Sequence, residues 1–396
     1  MEECMKLRDP IFVHGEDTSK NHTMRDIEHQ LQLGELDSHR TLSEKISYIH
    51  AVVCRQLPFI DRISIAKYEQ STDTLRTYVG SWKGDNPLTL YAVKLSEVPS
   101  LLKLVSNHET RIVNDMGIFA NSRKTHSKRI VGKGFLSSYT IPLFNEGQLI
   151  GMLFFNSYQR DAFNDSNLTY LDMMAHLLTI LMAAELNQVA ILHGAMRTAT
   201  QFTHHRDPET GMHLERMARY SRLIALTLGG VHAIDDEFVD RIFRHAPLHD
   251  VGKITIPDRI LLKPGPLTDE EFAEMKTHTI RGREIIDTML LNFNIKCVKD
   301  IEMIRNIVLY HHESTDGKGY PVGLVGKDIP LEARIVAVAD VFDALTSVRP
   351  YKAAWSNEQA FTELERLSHF KLDADCVAAL VGAEDEILSI RSGFAD

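Results

Sequence analysis

The segment His245–Gly265, HAPLHDVGKITIPDRILLKPG, sets an imidazole beside a carboxylate at His249–Asp250, where an amphipathic helix must give way to a Gly- and Pro-punctuated loop. Upstream, DDEFVDRIFR (235–244) carries one apolar stripe at helical spacing. Successive side chains on a helix point about 100° apart. The pair can therefore reach two different centres, or the carboxylate can bridge between groups that histidines hold separately. Gly252 would let the chain turn away after it.

Outward from this point the period stays near 3.6. HLERMARYSRLIALTL (213–228), TDEEFAEMKTHTIRGREIIDTM (268–289), CVKDIEMIRNIVLYHHE (297–313) and LEARIVAVADVFDALTS (331–347) each show one apolar face, and helix starts are marked at Thr268 and Asp235. The second half is expected to be all-α. Before it, from Thr41 to about Arg160, alternation of period 2 dominates in RISIAKYE, TLRTYVGSW, TLYAVKL and SSYTIPLFNEGQLIGMLFFNSY, the last a hairpin turning at Asn145-Glu146-Gly147. With helical segments at either end, this is an α+β domain built on an antiparallel sheet. Between the halves a helix is expected over about Asn164–Thr203. Its seam, Leu171, Ala175, Leu178, Met182, Glu185, Val189, Leu192 and Met196, steps by four and three. A seam of that kind suits a parallel homodimer; the plainer alternative is a connecting helix packed on its own domain.

Composition bounds the function. The chain has 396 residues, a formal charge of −10 and no run of 18 apolar residues, which disfavours polymeric nucleic acid as a partner and a membrane span. Its N-terminus is polar and acidic, unlike a secretion signal. Cys4, Cys54, Cys297 and Cys376 are scattered, which fits the cytoplasm and argues against a thiolate metal site.

Chemistry-bearing residues recur at particular points of the helical half: Glu209, His213, His249, Asp250, His278, His311, His312 and Asp340. Singly, each reads as a surface or satisfied core residue. Together they do not. Asp340 lies within RIVAVADVFDAL (334–345), where an unpaired carboxylate would cost several kcal/mol or take up a proton. A metal ion removes that penalty. Five imidazoles and three carboxylates without thiolate suit a first-row divalent ion such as iron or manganese, with zinc, cobalt and nickel as alternatives.

HDVGK (249–253), HHESTDGKGYPVGL (311–324) and ARIVAVADVFDALTSVRPYK (333–352) resemble the HD-GYP family of metal-dependent phosphodiesterases, over about residues 195–370. His249-Asp250 match its HD doublet and Gly319-Tyr320-Pro321 its GYP signature. The resemblance implies hydrolysis of cyclic di-GMP to pGpG and in some members GMP, by a metal-bridging hydroxide; related members take cyclic GMP-AMP, and a non-catalytic dinucleotide receptor is a further alternative. It places His213, His249, Asp250, His278, His311, His312 and Asp340 on metal-ligand positions, and Glu209 where three-metal members carry a carboxylate, giving two or three divalent ions per chain, iron before manganese. It makes Asp250 and Lys253 catalytic, and Lys253, Tyr320, Arg349 and Lys352 substrate-binding. His245 stands where the family has a small residue and is expected to be a helix-surface imidazole. Residues 41–190 resemble, more weakly, a GAF domain, a regulatory module whose small ligand is not legible. The expected divisions are a leader (1–38), a GAF-like sensor (39–165), a connecting or dimerisation helix (166–203) and an HD-GYP domain (204–396).

Overall fold

The computed structural model describes residue 36 and residues 40–84, 90–119, 134–204, 211–229, 234–292, 298–347 and 354–394. Glu209, Arg349 and Lys352 lie outside the described residues, as does most of the leader.

The first half holds a six-stranded antiparallel sheet with β1 (Arg62–Glu69), β2 (Thr74–Trp82), β3 (Ala92–Lys94), β4 (Arg111–Val113), β5 (Ser137–Asn145) and β6 (Gln148–Ser157), ordered β3-β2-β1-β6-β5-β4. Helix α1 (Leu42–Gln56) starts at a capping box between Thr41 and Glu44. The hairpin pairs Asn145 with Gln148, so Glu146 and Gly147, at φ 49° and 79°, form the two-residue turn. Positive φ at both positions is the twist-matching geometry for such hairpins. Helix α2 (Pro99–Asn107), opened by a proline, was hidden in the sequence between alternating segments.

Both sheet faces are covered. Ile63, Ile65, Leu153 and Phe155 pack under α1 and the long helix α3 (Asp165–His204), while Leu75 and Met152 meet Leu101 and Leu104 of α2. Consecutive residues Met152 and Leu153 thus serve opposite cores, as the period of 2 requires. In α3 the stretch Asp165–Asn187 has mean hydropathy 1.2, long and apolar enough to cross a membrane by length and composition alone. Its seam residues Leu171, Ala175, Leu178 and Met182 are buried in the core of their own domain, and Glu185 accepts a hydrogen bond from Tyr78 Oη at 2.7 Å. For this stretch the seam is an intradomain core, which is the plainer of the two expectations.

The described second half is built on helices α4 (Gly211–Leu228), α5 (Asp236–His245), α6 (Asp258–Leu261), α7 (Asp269–Lys276), α8 (His278–Asn292), α9 (Val298–Tyr310), α10 (Leu331–Thr346), α11 (Asn357–Ser368), α12 (Ala374–Val381) and α13 (Glu384–Gly393), with a long loop between α9 and α10. Tyr220, Ile224, Ile242, Ile307, Val336 and Phe342 form its centre, so α10 is buried along most of its length. The halves meet where β1 and β2 face α4 and α5. Lys67 pairs with Asp240 at 2.5 Å, Arg222 with Glu69 at 2.9 Å, and Asp236 accepts from Thr77 Oγ1 at 2.6 Å.

Candidate metal centre

Pro247 lacks the amide hydrogen that α5 would need to continue, so the chain tightens into a 3-10 turn at Ala246–Leu248. His249 and Asp250 sit between that turn and a second one, Val251–Thr255. The second turn packs tightly on α8: a Cβ on Gly252 would lie 1.8 Å from the carbonyl oxygen of His278. Glycine at this position serves close backbone approach, a stronger demand than the change of direction expected from sequence.

The doublet divides between two groups of donors. Asp250, His278, His311 and His312 offer ligand atoms within 4.8 Å of one another, and His213, His249 and Asp340 do the same. Asp250 stands between the groups. Its Oδ2 lies 3.1 Å from His249 Nε2 and its Oδ1 lies 3.3 Å from His278 Nε2. The imidazoles outside the doublet come from three places: His213 from the start of α4, His278 from the first residue of α8, and His311-His312 from just past α9. Asp340, on α10, approaches His249 Nε2 at 3.9 Å.

The chemistry of these donors fits divalent ions. The Nε2 atoms of His278 and His311 and the Oδ1 of Asp250 are buried and make no hydrogen bond. Atoms so placed lose several kcal/mol of solvation unless something else coordinates them. Burial would raise the Asp250 carboxyl, yet Lys253, at 2.7 Å, and His249 hold it well below the usual carboxylate range. Burial pushes His311 down, and burial together with His311 pushes His312 well down. Ionised carboxylate and neutral imidazoles are the protonation states that metal binding requires.

Tyr320 is brought to the same place. Its ring lies 4.8 Å from that of His312 and faces Phe272 edge-on, and burial keeps its phenol neutral. The loop carrying it is anchored by Glu313, whose buried carboxylate accepts from the backbone amides of Val322, Gly323 and Leu324. His245, expected at the helix surface, is 1% exposed: it falls on the side of α5 that meets the core.

Two groups escaped the sequence reading. Glu313 looked like an ordinary polar residue following the histidine pair. Asp343 lies three residues beyond Asp340 in the same apolar run, so the argument made for Asp340 applied equally to it. It is 1% exposed and accepts from His213 Nδ1 at 2.7 Å and from Arg216 Nε at 2.7 Å.

Fold and donors point to a class: residues 208–376 match the HD domain family. Among curated proteins, the chain is 46% identical over 191 residues to a cyclic di-GMP phosphodiesterase response regulator of Xanthomonas campestris, covering 48% of each chain. It is 43% identical over 199 residues to a cyclic di-GMP phosphodiesterase of Thermotoga maritima, covering 50% of this chain and 51% of that one. A 3'3'-cGAMP-specific phosphodiesterase of Vibrio cholerae is 39% identical over 191 residues, 48% of this chain and 34% of that one. The chain therefore spans about half or less of the length of these relatives. A solved GAF domain from a cyanobacterial phytochrome, with phycocyanobilin bound, is 18% identical, covering 43% of this chain and 96% of that chain at a TM-score of 0.31.

Proposed function

We propose that this protein is a metal-dependent phosphodiesterase that hydrolyses cyclic di-GMP to pGpG, with GMP as a further product, under control of its N-terminal domain. The observation that carries the reading is the sharing of one His–Asp doublet between two adjacent donor groups, with Lys253 paired to the central carboxylate. His213, His249 and Asp340 would hold one divalent ion, and Asp250, His278, His311 and His312 the other, with iron before manganese. Ions bound there supply Lewis acidity toward phosphoryl oxygens and acidify water from a pKa of about 15.7 to near 7.

The protein's own groups do the rest. Asp250, kept ionised by Lys253 and His249, holds negative charge at the centre of the site without taking up the proton that water releases. Lys253 adds positive charge beside the phosphate. Tyr320, its ring edge against Phe272, offers an apolar face to a base or ribose at the mouth. Arg349 and Lys352 are assigned to the remaining phosphate by resemblance. In the overall reaction water's oxygen joins phosphorus, and the leaving ribose oxygen departs with a proton.

Substrate identity rests on the relatives' names, two of which specify cyclic di-GMP and one cyclic GMP-AMP. Parallel turnover assays of metal-loaded protein with both dinucleotides test the reading. Cleavage of cyclic GMP-AMP alone would shift the substrate, and binding of either without cleavage would make the protein a receptor. Glu209 is proposed as a carboxylate ligand of a third ion. Glu209→Ala is then expected to lower metal content from about three ions per chain to about two, measured by elemental analysis of protein purified without oxygen; equal content would leave Glu209 as a first-turn acid favoured by the helix dipole.

The proposal extends to the whole chain: a cytoplasmic homodimer, its GAF-like sensor at 39–165 and connecting helix at 166–203 joined to a catalytic domain at 204–396. The exposed face of α3 supports the dimer. Met173, Ile180, Ala184, Asn187 and Ile191 share it at steps of seven, four, three and four, and Met173, Ile180 and Ile191 are 60%, 61% and 55% exposed. A single polar residue such as Asn187 in a heptad seam specifies register and partner number.

A further inference from the structure

We infer that Asp343 is a positioning residue: it selects the ring tautomer of His213 and thereby sets the affinity of the donor group His213, His249 and Asp340. The inference rests on the metal-centre reading and goes beyond it, since Asp343 is not itself a ligand.

Within the two donor groups, the four imidazoles whose Nδ1 partners are defined fall into two kinds. His249 Nδ1 bonds to the carbonyl of Ala246 at 3.0 Å, His278 Nδ1 to that of Met275 at 2.8 Å, and His311 Nδ1 to that of Ile307 at 2.9 Å. Each of these rings is oriented by a carbonyl three or four residues earlier in its own turn. His213, the third residue of α4, is oriented differently. Its Nδ1 bonds instead to Asp343 Oδ2, on α10, at 2.7 Å.

Asp343 is itself held from several sides. Arg216, one turn after His213 on α4, donates from Nε to Oδ1 at 2.7 Å and from Nη2 to Oδ2 at 3.2 Å. Ser347 donates to Oδ2 at 3.0 Å, and Arg216 also bonds to the carbonyl of Phe394. A carboxylate surrounded by these donors can only accept. His213 must therefore carry its hydrogen on Nδ1, which leaves the Nε2 lone pair for an ion. The carboxylate also increases the basicity of the ring, and partners of this kind typically change metal affinity about 10- to 100-fold. Because Asp340 and Asp343 are three apart on α10, one helix supplies both a ligand and the group that orients another ligand.

Asp343→Asn is the discriminating change. The amide keeps the shape, can turn its oxygen to Arg216, and presents its NH2 to His213. The ring nitrogen facing it must then accept, and the hydrogen moves to Nε2, where it blocks coordination. The metal-stripped full chain is titrated with manganese(II) by calorimetry. The expected result is that Asp343→Asn weakens one class of site about 10- to 100-fold and leaves the class containing Asp250, His278, His311 and His312 unchanged. The second readout is nitrogen NMR of the metal-stripped protein with labelled imidazoles, the His213 signals being assigned by their loss in His213→Gln. The parent should show the Nδ1–H tautomer and Asp343→Asn the Nε2–H tautomer. An Nε2–H tautomer in the parent would overturn the inference even if the variant does not fold. Unchanged titration of Asp343→Asn beside two classes of site in the parent would overturn it alone, and no ion uptake by the parent would overturn the metal-centre reading with it.

Discussion

At the scale of single residues the site turns on Asp250, which lies between two donor groups and is paired with Lys253. Removing it takes a ligand from one group and breaks the 2.7 Å ion pair with the partly exposed Lys253. Asp250→Ala is expected to lower hydrolysis by at least ~10³-fold, about 4 kcal/mol in the barrier, with lower metal content and a retained helical circular dichroism spectrum. Full activity with normal metal content would remove Asp250 from the centre. Arg349 is assigned a different part, gripping phosphate without activating water. Arg349→Ala should weaken dinucleotide binding roughly ten- to a hundredfold, the loss of one charge-assisted hydrogen bond of about 1.5–3 kcal/mol. Calorimetry in a hydrolysis-dead background reads this directly, and an unchanged Kd would refute it.

Among the elements, α3 shows how a correct periodicity can be assigned to the wrong neighbour. Two heptad stripes run along it about one residue-pair apart. Leu171, Ala175, Leu178 and Met182 face the sheet, while Met173 and Ile180 face outward. Periodicity alone does not say which stripe meets a second copy, because an intradomain core and a dimer seam ask for the same residues at the same spacing. The structure separates them. Leu178→Asp should unfold the N-terminal domain, since a buried carboxylate among Leu153, Phe155 and Met182 has nothing to pair with. Ile180→Asp should leave the domain folded and yield monomers. Light scattering and thermal melts of the two variants distinguish the faces; dimers persisting in Ile180→Asp would rule out this stripe as the seam.

Across the whole molecule, the sheet of the first half rests on the helix that leads into the His–Asp doublet. Asp236, the first residue of α5, is a sensitive point of that contact. Burial pushes its carboxyl from 3.8 up to about 6, against the hydrogen bonds it accepts from Thr77 and the Leu90 amide. Between these values the folded protein binds the proton and the unfolded chain does not, so this group's contribution to stability falls as pH rises from about 4 to about 6. Asp236→Asn preserves both hydrogen bonds and removes the charge. It should melt above the parent at pH 7, with the difference disappearing near pH 4; a pH-independent difference by calorimetry would show that Asp236 is not the titrating group.

The HD doublet, the GYP loop, the helical half and the α+β half were all legible in the sequence, because each is written in local order: a motif of adjacent residues, a helix period or a strand alternation. Which groups to suspect as donors was legible for the same reason, since the His311-His312 pair and Asp340 stand against apolar neighbours. What local order does not contain is direction. Which donors share a centre, that Asp343 reaches His213 across 130 positions, that His245 points inward, and which stripe of α3 is core were decided only when helices packed. A side chain's partner on another element depends on how two surfaces interlock, and the period of one helix records only that it has an apolar face, not what lies against it.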